Sequence, residues 1–143
     1  MLQTTFSLTS AAAQTAMEAA EQEASAHGWK VTIAIADAGG VPILAKRCDD
    51  AFPASYEIAV GKAKTSAQFR KPTGVLEDSA NVSDGSSRSA LLTAPFVLMR
   101  GGVPIFVNDM CIGAVGVSGV KPDEDEKVAM AAVNALSSTI SKL

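Results

Sequence analysis

Apolar positions change their period several times along the chain, and each change marks an element. Ala13, Ala16, Met17, Ala20 and Ala24 recur at helical spacing, which predicts a helix over Ser10 to Ala26. Thr9 can cap its start, and Gly28 after His27 is a good stop. From Lys30 to Ala36 alternate residues take over. Val31, Ile33 and Ile35 share one face, and the small Thr32, Ala34 and Ala36 leave room for close packing on the other. DAGG turns the chain, and Val41 to Arg47 returns as a second strand. Ala54 to Arg70 reads as a second helix, with Ile58, Ala59, Ala63 and Ala67 as its apolar stripe. Pro53 and Pro72 flank it at acceptable positions.

Residues Lys71 to Ala90 are polar and weakly periodic, a long connection of the kind that is often functional. A short helix fits around Val75 to Asn81. The strand signal returns at Phe96 to Met99, Val103 to Val107 and Cys111 to Val117, with Asn108-Asp109 as a tight hairpin turn. The last helix starts at Pro122. Asp123, Glu124, Asp125 and Glu126 load its first turn with the charge that the helix dipole favours, and Val128, Ala132, Leu136 and Ile140 face inward. Short strand connections between helices predict one α+β domain over residues 1–143, with a five-stranded antiparallel sheet and flanking helices.

One pattern recurs letter for letter: GGVPI at Gly39–Ile43 and again at Gly101–Ile105. Both copies are expected at strand-to-strand turns, where glycines supply unusual backbone angles and Pro restrains the next residue. The flanks differ, so this is one turn chemistry used twice and no duplicated domain. A Pro at a strand start also points to a sheet edge.

Composition narrows the function. Apolar residues make up 48% of the 143 residues and aromatics only 5%, so small aliphatic side chains build the core. A mean hydropathy of +0.21 is high for a soluble monomer and predicts a homo-oligomer. A formal charge of −3 and the lack of a basic stripe argue against a nucleic-acid partner. No apolar run approaches a membrane span, and MLQTTFSLTS does not read as a secretory signal. Cys48 and Cys111 are too few and too far apart for a disulfide framework or zinc site, so a cytoplasmic protein with free thiols is expected.

Several stretches together resemble a known family. The run VTIAIADAGGVPILAKRCDDAFPASYEIAVGKAKTSAQFRKPTG, followed by GGVPIFVNDMCIGAVGVSGVKPDEDEKVAMAA, is similar to the GlcG/HbpS-like, or haem-degrading-domain, family, which includes the C-terminal domains of PduO proteins. The most specific pieces are the D-x-G-G turn, the helix motif over Ala59 to Ser66, the GGVPI stretch and IGAVGVSG at Ile112 to Gly119. The resemblance implies a profilin-like α+β fold, dimers assembling further into octamers, and haem binding in some members.

Candidate chemistry has two sources. A haem needs an axial His, Met, Cys or Tyr, and the chain holds one His, one Tyr, five Met and two Cys. His27 is read as a helix-end residue meeting the dipole, and Tyr56 as core or pocket. Alternatively, Lys62 and Thr65 share a face of the second helix and fall in the family's helix motif. With Arg47 holding an anionic group, Lys62 moving a proton and the amides of Gly101 and Gly102 near Pro104 polarising a carbonyl, they would serve a small organic acid. Glu77 and Asp78 read as a solvated pair, Asp37 as a turn residue, and SDGSS at Ser83–Ser87 lacks the nucleophile-elbow pattern. No metal site is expected. The favoured reading is a small-ligand binder, with haem or a related tetrapyrrole as the ligand. The alternatives are a cofactor-independent isomerase, hydratase or other lyase, and a non-catalytic assembly module.

Overall fold

The small-residue face predicted for the first strand is covered by a helix, and this contact organises the molecule. A computed structural model of the chain describes residues 1–143 except Ser86 and Arg88, with only the backbone of Ser89. Part of the SDGSS stretch therefore lies outside the described residues. The elements run α1 (Ser10–His27), β1 (Thr32–Asp37), β2 (Pro42–Arg47), α2 (Ser55–Phe69), α3 (Thr73–Asn81), a 3₁₀ turn (Ser89–Thr93), β3 (Gly102–Val107), β4 (Met110–Ser118), α4 (Pro122–Asn134) and α5 (Ser137–Ile140). Among the described residues no helix is long and apolar enough to cross a membrane.

Among the described residues the sheet has four antiparallel strands in the order β2-β1-β4-β3, not the five expected. The missing strand is Phe96 to Met99. Side chains of the helices take up donors in this segment: the Val97 amide donates to Thr65 Oγ1 at 3.0 Å, and the Arg100 amide to Glu77 Oε2 at 3.2 Å. The second GGVPI copy consequently leads from a loop into β3 and is not a strand-to-strand turn. Its backbone differs too. Gly40 has φ +84° in the first copy, whereas in the second it is Gly101, one place earlier in the repeat, that has φ +127°. At the first copy Asp37 Oδ1 accepts from the amides of Gly39 and Val41, the turn role expected of it. Both prolines fall on edge strands, where the absent N–H costs no ladder bond.

Each face of the sheet selects its cover by side-chain size. Val31, Ile33, Ile35, Val115 and Val117 meet Ala13, Ala16, Met17 and Ala20 of α1 and Val128, Ala129 and Ala132 of α4 in the main core. The opposite face carries Ala34 and Ala36, against which Ala59 and Ala63 of α2 pack. Here backbone meets backbone: a Cβ on Gly116 would stand 2.1 Å from the Ala59 carbonyl oxygen and 2.4 Å from the Ala63 nitrogen. Thr9 caps α1 through the Ala12 amide, and Gly28 ends it at φ +70°. Asn108, at φ +53°, turns β3 into β4.

Candidate functional site

Lys62 is the largest side chain with no exposed surface, and it sits among the alanines of α2. A buried ammonium needs partners. Lys62 Nζ donates to the Val117 carbonyl at 2.8 Å and to Asp125 Oδ2 at 3.1 Å. Asp125 is itself only 1% exposed, and its other oxygen accepts the Val120 amide at 3.2 Å. The pair thus ties α2 to the end of β4 and the first turn of α4. Burial pushes the Lys62 ammonium below its ordinary pKa and the Asp125 carboxyl above its own, with each partner pulling the other back.

The bend before β3 closes over this pair. A Cβ on Gly101 would stand 2.7 Å from Lys62 Nζ, 2.9 Å from the Val117 carbonyl oxygen and 3.0 Å from Asp125 Cβ. Glycine is therefore required at Gly101 both by space and by φ. The Gly102 amide is already committed: it donates to Thr73 Oγ1 at 2.8 Å. Thr65 is buried, its hydroxyl donating to the Gly61 carbonyl at 2.7 Å while accepting from Val97. Pro104 is buried within β3, opposite Ala114.

The structure therefore packs Gly101 and Gly102 against Lys62 in the middle of α2, while Thr65, one turn on, bonds Gly61 and Val97. Arg47 stands elsewhere. It is the exposed last residue of β2, the edge strand opposite β3, and is not a polar partner of Lys62. Tyr56 is 44% exposed in the first turn of α2. The arginine that reaches the bend is Arg100, which the sequence reading passed over. Its guanidinium meets Glu126 at 3.2 Å and Asp78 at 3.6 Å, and Glu126 beside it raises its pKa further. Arg100 and Glu126 line a cleft of about 280 Å³ with Val75, Val103 and Met130. Of the pair expected to be solvated, Asp78 is exposed, with Arg100 3.6 Å away, whereas Glu77 is half-buried and accepts the Arg100 amide.

A second cleft of about 280 Å³ opens between the C-terminal half of α1 and the β1–β2 ladder. Ala24, Val31 and Ile33 supply its apolar wall, and Trp29, Lys30, Lys46 and Cys48 also line it. The indole stacks on His27 with ring centroids 4.1 Å apart and planes at 13°. His27 Nε2 lies 3.1 Å from Glu23 Oε1. The Cys48 thiol accepts the Val31 amide at 3.1 Å and donates to the Asp49 carbonyl at 3.3 Å. One side-chain type able to ligate haem iron, the Cys48 thiol, thus lines the cleft with an apolar wall and two cations, while a second, His27, stacks on its Trp29.

Residues 8–134 match the family described as haem degrading protein HbpS-like. The chain belongs to the HbpS-like family. It is 41% identical over 101 residues to Protein GlcG of Escherichia coli strain K12, covering 70% of this chain and 72% of GlcG. It is also similar to the crystal structure of a double mutant of HbpS from Streptomyces reticuli, with TM-score 0.85 and 29% identity over 94% of this chain and 90% of that one. The haem complex of PduOC superposes with TM-score 0.81 and 26% identity, covering 91% of this chain and 95% of that one. These likenesses agree with the family read from the IGAVGVSG and helix motifs.

Proposed function

We propose that this chain is a small-ligand-binding protein whose ligand is haem or a related tetrapyrrole, taken up at the cleft between α1 and the β1–β2 ladder. The observation that carries the reading is the donor set at that cleft: the Cys48 thiol in its lining and the His27 ring against its Trp29 wall, with Lys30 and Lys46 placed for ligand carboxylates. The likeness to the PduOC haem complex supports it. A volume of about 280 Å³ lies just below the range of small-molecule sites, so the cleft takes one edge of a macrocycle and leaves the rest outside. Bound haem would supply a redox-active iron. The chain supplies the donor, the apolar wall and the cations.

Titration of the purified protein with hemin tests this. The expected result is a Soret shift that saturates at one hemin per chain. His27→Ala or Cys48→Ser, whichever removes the iron donor, changes the band position as well as the affinity. A wild-type spectrum that stays that of free hemin refutes the reading. The homo-oligomer belongs to the same proposal, because Val41, beside edge strand β2, and Phe106, on edge strand β3, are both exposed. Light scattering should then give a mass above that of a 14.6 kDa chain.

A second reading rests on Lys62, whose Nζ lies against the Gly101 bend and whose pKa burial pushes below its ordinary value. In it the chain is a cofactor-independent isomerase, hydratase or lyase acting on a small organic acid, and the acid is held by Arg100, in place of Arg47, once it displaces Glu126 and Asp78 from the guanidinium. Small carboxylates should then raise the melting temperature, and Arg100→Ala should abolish that rise.

A further inference from the structure

We propose that Glu21 is an internal competitor for the carboxylate of the ligand, and that Lys46 is the residue for which the two compete. The inference rests on the tetrapyrrole cleft proposed above. Lys46 Nζ lies 2.6 Å from Glu21 Oε1, and both residues line that cleft, Glu21 from α1 and Lys46 from β2. Their side chains are 32% and 59% exposed, so the pair opens to solvent without disturbing the core. Lys30, the other cation of the lining, makes no ion pair among the described residues.

Charge gives the device its selectivity. The lining holds two cations, Lys30 and Lys46, and two anions, Glu21 and Asp49, and so is neutral overall. An acidic ligand lying on Ala24, Val31 and Ile33 gains Lys46 only by displacing the Glu21 carboxylate. A neutral ligand leaves the pair intact and gains nothing from Lys46. Glu21 thereby lowers the affinity for every acidic ligand while holding Lys46 in place at the mouth.

The test uses hemin on the full chain in four forms: wild type, Glu21→Gln, Lys46→Gln and the double variant. Exposed ion pairs are weak, so Glu21→Gln should tighten hemin binding by about two- to five-fold and Lys46→Gln should weaken it by a similar factor. The double variant should match Lys46→Gln alone, since without the lysine there is nothing to compete for. The Soret position should be unchanged in all three variants, because the iron donor is untouched. In 1 M salt, where the Debye length is about 3 Å, the gain from Glu21→Gln should shrink. Equal dissociation constants in wild type, Glu21→Gln and Lys46→Gln, with a normal Soret shift, overturn the role of Glu21 and leave the cleft reading standing. Absence of any Soret shift in the wild type overturns both.

Discussion

Replacing Lys62 by Met asks whether the buried ion pair holds the fold together. Methionine has nearly the length of lysine and no donor. In Lys62→Met the Asp125 carboxylate keeps only the Val120 amide, and the Val117 carbonyl loses the ammonium 2.8 Å away. The two side chains are 0% and 2% exposed, so water cannot replace the lost partner without opening the junction of α2, β4 and α4. Removing one member of a buried pair costs about 3–5 kcal/mol. For a domain of this size that lowers the melting temperature by about 10–15 °C. The double variant Lys62→Met/Asp125→Leu removes both charges and strands chiefly the Val120 amide, a loss of about 1–3 kcal/mol. Two losses that fail to add give the coupling directly.

Urea denaturation followed by circular dichroism supplies the numbers, with an unchanged slope required for a two-state comparison. The pH dependence gives an independent check. The folded pKa of Asp125 lies above its ordinary 3.8, so as pH rises from there the unfolded chain loses its proton first and this group's contribution to stability falls. The folded pKa of Lys62 lies below its ordinary 10.5, so as pH rises through it the native chain loses its proton first and stability recovers toward 10.5. The wild type should therefore show a shallow trough between these windows that the double variant lacks. A loss below about 1 kcal/mol in Lys62→Met, with no coupling to Asp125, would place Lys62 outside a buried pair and refute the reasoning.

Two further substitutions probe how α2 is seated. Gly116→Ala would put a Cβ 2.1 Å from the Ala59 carbonyl oxygen and 2.4 Å from the Ala63 nitrogen, backbone atoms that cannot rotate away. Thermal melting should show a loss of about 3 kcal/mol or more, and a melting temperature within a degree of wild type would contradict the close approach. Thr73→Val keeps the shape of a fully buried side chain but removes the acceptor of the Gly102 amide, and chemical denaturation should register about 1–3 kcal/mol. An unchanged midpoint would mean that another acceptor serves that amide.

The elements were legible because each rests on a local signal. The alternation of Val31, Ile33 and Ile35 with Thr32, Ala34 and Ala36 announced both the strand and the closeness of its second neighbour, later found to be α2. Phe96 to Met99 misled for a reason equally physical: its residues suit a strand, but the amide of Val97 is claimed by Thr65 and that of Arg100 by Glu77, bonds between segments far apart in sequence. The site divides along the same line. Lys62 meets the Gly101 bend, whereas Thr65 turns to Gly61 and Val97, and Arg47 leaves with the wrong edge of the sheet because strand order is not written in any local pattern. Asp125 was visible in retrospect. It stands in register with Val128, Ala129 and Ala132, the buried stripe of α4. A lysine between Ala59 and Ala63 on one buried stripe and an aspartate heading another are each costly alone, and the cost is met only if the two stripes meet. That requirement fixes α2 and α4 at the same end of β4, which is where Lys62 Nζ finds Asp125 Oδ2 and the Val117 carbonyl together.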